Sequence, residues 1–263
     1  ETPTKKGMFM ELFYNGLLSG PATQGINIMG NFATGLIDNV TRLTAGVGRA
    51  AFTGDKKLLQ DSVAQVAGQM SAWGQAWTRA RDTFFSELPL DSKSKLEGQG
   101  SSSIPSFKIN EEATGLSSLL RQSGSGEGGI GGRQIRWPGR LLLGMDDLFK
   151  TVHMEGYVTA KGSRAARDAG ITDGPGIKAF VGAWRKENTQ KLNPGLWKEA
   201  LERARRMTFT DDPGTAAGAV TKLVDTVPPL RLLIPFIRTP ANILSMALGD
   251  LPGFHLMTRT RGE

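Results

Sequence analysis

Two adjacent carboxylates, Asp146 and Asp147, followed within two helical turns by His153, are the residues of this 263-residue chain best placed for acid–base chemistry. On a helix, neighbouring residues diverge by about 100°, so Asp146 and Asp147 point in different directions and cannot both line one catalytic pocket. A solvent-facing or interhelix ion-pair role suits them better. A single histidine without an assigned partner is more often structural than catalytic. The other histidine, His255, is too distant in sequence to complete a His-based metal centre, and with no cysteine there is neither a thiolate ligand nor a disulfide framework. The run GSGEGGIGGRQ has glycine spacings that superficially resemble a phosphate loop, but no strand pattern precedes it and no GKS or GKT follows. No nucleophile, base or metal set can be assembled. The sequence therefore reads as a non-enzyme with no catalytic, cofactor-binding or metal residues.

The second chemistry on offer is anion contact. The chain carries 32 Lys and Arg against 25 Asp and Glu, a net charge of +7, and the excess concentrates between Lys178 and Arg206. Lys186, Lys198, Arg203, Arg205 and Arg206 are candidates to hold a nucleic-acid backbone, with Trp184 and Trp197 stacking on bases. The competing reading of the same residues is a solvated helix face whose tryptophans anchor a core.

The elements that would position these groups read as helices throughout. Leu12 to Ile37 contains no charged side chain, long enough for a bilayer span of about 20 residues. Asn15, Gln24, Asn27 and Asn31 are costly in lipid, however, and Pro21 and five glycines weaken a single span. The better expectation is a helical hairpin or kinked helix turning at LLSGPAT, with Gly20 and Gly30 permitting close approach at a subunit interface. From Asp55 to Leu88, apolar residues recur at three- and four-residue spacing through Leu58, Leu59, Val63, Val66, Met70, Trp73, Trp77, Ala80 and Phe84, predicting a long amphipathic helix whose stripe faces the core, with an aromatic ladder for bases or a membrane-interface belt as the other reading of Trp73 and Trp77. Residues 90–136 are rich in Gly and Ser and read as a linker or surface loop with a short helix at Glu111 to Gln122. Pro138 can open a further helix carrying Leu141, Leu142, Met145, Leu148, Phe149, Val152 and Met154 on one face. Near the C-terminus, VPPLRLLIPFIRTPANIL has four prolines in an apolar run, which predicts short helical pieces with Leu230, Leu233, Phe236 and Ile237 buried against another subunit.

The fold class expected is all-α, an extended, non-compact helical assembly module that oligomerises. Its regions are residues 1–89, a small-residue-rich helical part; 90–136, the linker; and 137–263, a basic helical part with a Pro-kinked end. The chain begins with Glu1, and Glu11 interrupts the apolar run a signal peptide would need, so it reads as a piece of a longer or processed protein.

Three blocks, LLSGPATQGINIMGN, RWPGRLLLGMDDLFKTVHMEGYVTAKGSRAARDAG and LIPFIRTPANIL, resemble in type and order segments of the internal virion proteins, the large polyvalent or DNA-ejection proteins, of tailed bacteriophages. The resemblance implies a structural protein inside the capsid that contributes to an internal core or ejection channel and passes with the genome into the host envelope. Implied partners are further copies of the chain, the portal or other internal virion proteins, genomic DNA and, after ejection, the host membrane. The alternative is a membrane-active or nucleic-acid-binding module of a larger virion enzyme, a transglycosylase or virion RNA polymerase polyprotein. None of the catalytic signatures of such enzymes is present in these residues.

Overall fold

The computed structural model describes residues 16, 19–86, 89–90 and 137–210. The expected linker beyond Leu90 and the Pro-rich segment with Leu230, Leu233, Phe236 and Ile237 lie outside them. Among the described residues every regular element is a helix. The all-α class therefore holds.

Helix α1 spans Pro21–Thr53. Gly20 is its N-cap in extended conformation and Pro21 its first residue, where a missing N–H costs nothing. The expected turn at LLSGPAT is a helix start. The arm expected before it, residues 12–18, lies outside the described residues apart from Gly16; after it α1 runs unbroken through Gly25, Gly30 and Gly35 to a left-handed Gly54, whose N–H bonds the Ala50 carbonyl at 3.0 Å. Asp55 then accepts a hydrogen bond from the Lys57 amide at 3.0 Å and starts helix α2, Lys57–Ser86. The two helices form an antiparallel hairpin. Gly46 lies against the Leu59 backbone, and further along Asn39 donates to Gln69 at 2.6 Å.

Helix α3 spans Trp137–Asp168 and ends in a Schellman turn, with Gly170 at φ 83° and the Ile171 amide bonded to the Ala166 carbonyl. Helices α4, Gly174–Glu187, and α5, Pro194–Met207, each begin with an Asx N-cap and a first-turn proline: Asp173 accepts from the Gly176 amide at 2.7 Å and Asn193 from the Leu196 amide at 3.1 Å.

The chain divides into two compact units, of which one comprises residues 18–90 and 140–208. Both flanks of the Gly/Ser-rich stretch thus contribute to one body. The other unit takes residues 1–17, 91–139 and 209–263. Within the helical unit of residues 18–90 and 140–208, α3 is the central helix. Its Leu148, Phe149 and Val152 pack on Ala76 and Ala80 of α2 and on Ile28 of α1, while Met154 and Val158 pack on Ala200 and Ala204 of α5 with Trp184 and Trp197 alongside. Close approach depends on glycine. A Cβ on Gly68 would stand 2.6 Å from the Thr159 side chain, and one on Gly156 would stand 2.9 Å from the Gln65 carbonyl.

The polarity of the hairpin is inverted relative to an ordinary surface helix. The buried face of α2 is Asp61, Ser62, Gln65, Gly68, Gln69, Ala72, Ala76, Ala80 and Thr83, with no large apolar side chain among them. The stripe predicted to be core is split: Ala80 is buried and Leu58, Leu59, Val66 and Phe84 are half-buried, but its middle points outward, Met70 being 68% exposed, Trp77 62% and Val63 53%. Trp73 is the partial exception, meeting Phe149 edge-on at 6.3 Å between centroids. On α1 likewise, Gln24, Asn31 and the Asp38 carboxylate turn inward while Ile26, Met29, Leu36, Ile37 and Val40 face out. No helix among the described residues is long and apolar enough to cross a membrane.

Candidate functional site

With polar faces turned inward, the charged groups meet between helices. Asp38 of α1 pairs with Arg42 at 2.9 Å one turn on and with Arg203 of α5 at 3.4 Å. Arg203 also lies over the Tyr157 ring of α3, 5.6 Å from its centroid, a cation–π placement shared by Lys161 at 5.2 Å. Burial lowers the Arg203 pKa from its ordinary value, and Arg42 adds to the effect, while Asp38 opposes it. Asp61 of α2 bridges Arg164 and Arg167 of α3, and Glu155 of α3 pairs with Arg185 of α4. Lys161 reaches Glu199 of α5 at 3.4 Å. Every helix of the unit is tied to α3 or α5 through an ion pair.

A cleft of about 530 Å³ opens beside this network, lined by Arg49, Lys57, Arg164 and Arg167 against Asp55, Asp61 and Asp168. Its carboxylates are largely committed: Asp61 holds two guanidinium groups and Asp55 pairs with Arg49 at 3.0 Å. Among the described residues no group of three or more His, Asp or Glu is arranged to hold a metal ion.

The acid–base candidates are held in buried contacts. Asp146 pairs with Lys150 at 2.8 Å, both side chains fully buried. Asp147 points elsewhere, as adjacent residues on a helix must, and accepts from the Thr83 hydroxyl at 2.6 Å and the Leu90 amide at 2.7 Å. Burial pushes the Asp147 carboxyl up from its usual range, and these two donors oppose the shift. His153 is buried against the bare backbone of Gly35, and its Nδ1 is 3.3 Å from the Gln69 amide nitrogen. Burial lowers its pKa to about 4. Tyr157, beside Lys161 one turn on, is a further group with a general-base geometry. Burial and its bond to Glu199 raise its pKa, so the phenol stays protonated at neutral pH, the opposite of what a base requires.

The proposed nucleic-acid residues are not brought together on one face. Lys198 is exposed, 4.0 Å from Glu202, and Lys186 and Arg206 are exposed in the last turns of α4 and α5. Arg205 is half-buried. Arg203 lies roughly 140° round α5 from Lys198 and faces α1 and α3. It is a packing residue. The tryptophans are likewise committed, Trp197 donating from Nε1 to the Asn188 carbonyl at 2.9 Å and Trp184 lying against Gly162. Of the small-residue interface candidates, Gly20 is a helix cap, and a Cβ on Gly30 would meet nothing, so the chain's own packing does not require that glycine.

The interhelix network of Asp38, Asp61, Glu155, Arg164, Arg185 and Arg203 has a signal in the sequence that apolar periodicity does not register. Asp38 is the first charge after the long uncharged run, and Asp61 shares a helical face with Gln65, Gly68 and Gln69 rather than with the apolar stripe. Comparison of the chain with protein-family models, with curated proteins and with solved structures finds no match.

Proposed function

We propose that this chain is a structural, non-enzymatic internal virion protein of a tailed phage, an extended, oligomeric helical module of the internal core or genome-ejection channel that helps deliver DNA through the host envelope. The observation that carries the assembly part of the reading is the inverted polarity of the α1–α2 hairpin. Its inner face is built mainly from charged, amide and small residues, and most of its large apolar residues face outward. Soluble monomers rarely leave so extensive an apolar surface uncovered, so the surface is matched to a partner in an assembly. The phage setting rests on the three sequence blocks, of which RWPGRLLLGMDDLFKTVHMEGYVTAKGSRAARDAG contains the whole of the central helix α3. Exposed Lys186, Lys198 and Arg206 supply basic groups for DNA, and genomic DNA, portal and other internal virion proteins are the partners proposed.

The test is protease protection in purified particles followed by mass spectrometry, before and after ejection is triggered in vitro. The chain should be protected in full particles and depleted from emptied ones. Its absence from full particles ends the virion reading. The competing reading, a membrane-active module of a larger virion enzyme, draws on the exposed indole of Trp77, since aromatic side chains favour the lipid interface. Leakage of vesicles on adding the chain would favour it.

A further inference from the structure

We infer that the outer face of the α1–α2 hairpin is the surface on which two copies of this chain pair, hairpin against hairpin. The inference deepens the assembly reading above and rests on it for the existence of a partner. What it adds is the identity of that partner and the face used.

The two apolar stripes form one surface. On α1 the residues that meet α2 and α3 include Ile28, Gly35, Asp38, Asn39 and Gly46, and the exposed apolar residues lie on the opposite side of the helix. On α2 the residues that meet α3 include Asp61 and Gly68, and Val63, Met70 and Trp77 again lie away from them. Both stripes therefore face away from α3, side by side on the outside of the hairpin.

Size favours a protein partner of matching extent. From Ile26 to Phe52, α1 rises about 40 Å, and a strip of helix surface about 10 Å wide along it gives roughly 400 Å². The strip on α2 roughly doubles this to about 800 Å². That exceeds the roughly 300–600 Å² of the largest patch on a typical monomer. It matches the roughly 800 Å² that each partner contributes to a stable interface.

Charge favours a second copy in particular. In a two-fold contact the same surface meets itself, so any charge near the axis faces its like. This face has none. Residues 12–37 and 62–78 carry no charged side chain at all, and the two charges of the middle of α1, Asp38 and Arg42, are turned inward and paired with each other. A lipid surface would instead favour a rim of Lys and Arg flanking the apolar stripe, which these stretches lack. Gly30, Gly48 and Gly74 fit the same picture. A Cβ on any of them would meet nothing beyond its own helix turn, unlike Gly35, Gly68 and Gly156, so packing within the unit does not require their smallness, which leaves room for a close neighbour.

The test uses the full chain, whose lack of cysteine makes single-cysteine variants clean probes. Leu36→Cys and Met70→Cys should be captured as covalent dimers by a short bismaleimide, whereas Lys198→Cys on α5 should not. Trp77→Asp and Val40→Asp, both at positions exposed in the single chain, should shift sedimentation from dimer to monomer, weakening association by about tenfold or more. Helical circular dichroism should be unchanged. A wild-type chain that sediments as a monomer up to submillimolar concentration, or a dimer untouched by both Asp variants, overturns the inference. Neutral phosphatidylcholine vesicles that dissolve the dimer and bind the chain through Trp77 would assign the face to lipid and also overturn it. A monomer that is nevertheless packaged in particles sinks this inference alone; a dimer absent from particles sinks only the phage setting.

Discussion

His153 shows how the fold uses a titratable side chain. Gly35 of α1 gives it space, Gln69 of α2 faces its Nδ1, and Asp38 and Arg203 are the charges nearest to it, pulling its pKa in opposite directions. Burial dominates and lowers the pKa from 6.5 to about 4, so the folded state holds the neutral ring. The stability this contributes is complete above the unfolded value and is lost as pH falls toward the folded one. The loss amounts to roughly 3 kcal/mol. Urea titrations of the wild type and His153→Gln across this window should show a shallower acid limb in the variant, and identical limbs would mean other groups set the acid sensitivity. The Asp146–Lys150 pair has a different signature. Lys150→Met leaves a buried carboxylate uncompensated and should cost about 3–5 kcal/mol, whereas Asp146→Leu with Lys150→Met should recover most of that loss. A double variant as unstable as the single one would show that Lys150 matters through neighbours other than Asp146. The i, i+4 spacing of this pair and the divergence of Asp146 from Asp147 were legible in the sequence. Their complete burial was not, because it is set by α3 being enclosed by other helices, a long-range fact.

At the scale of elements, starts and stops carry marks in the sequence, of which Pro138 reads as a helix start and Pro21 as a turn. Pro21, Pro138, Pro175 and Pro194 all sit in first turns, and Gly54 and Gly170 close helices with positive φ. The period of the apolar residues correctly gave a long helix after Asp55. It could not say which face is inside. Periodicity reports that two faces differ, and the rule that the apolar one is buried is a tendency of self-sufficient soluble units. In α2 that rule fails: the inner face needs small residues because α3 approaches at Gly68 and Gly156, and bulky Met70 and Trp77 cannot fit there. Gly156→Ala should therefore destabilise the unit by about 1–3 kcal/mol, since its methyl would press on the Gln65 carbonyl and the Gln69 side chain. Gly182→Ala, in the middle of α4 with nothing near the added carbon, should stabilise it by about 0.5–1 kcal/mol through helix propensity. Thermal melts of the two variants shifting in the same direction would show that interhelix packing at Gly156 is looser than its geometry indicates.

For the molecule as a whole, the excess of positive charge is divided between two tasks. Arg164, Arg167, Arg185 and Arg203 face carboxylates on other helices and hold the unit together, so their charge is largely neutralised within it, although Arg164 is also exposed to solvent. Lys186, Lys198 and Arg206 remain on the exposed side of α4 and α5. A composition-level charge of +7 cannot reveal this division, because it depends on which arginines meet Asp38, Asp61 and Glu155 once the helices pack. The division predicts separable effects. If the exposed set touches duplex DNA, replacing Lys186, Lys198 and Arg206 with Gln should weaken binding and reduce the slope of log affinity against log salt by up to about 2.7, at about 0.9 for each phosphate no longer neutralised. Stability should be nearly unchanged, since exposed pairs such as Lys198–Glu202 contribute at most about 1 kcal/mol. Arg203→Gln should do the reverse. It removes one of the two arginines paired with Asp38 and one of the two cations over Tyr157, costing about 1–3 kcal/mol of stability, while the salt slope stays that of the wild type. Fluorescence anisotropy with a labelled duplex at several salt concentrations, paired with denaturant melts, separates the two. A slope reduced by Arg203→Gln and unaffected by the triple replacement would place the DNA-binding charge on the inner network and refute the assignment made from exposure.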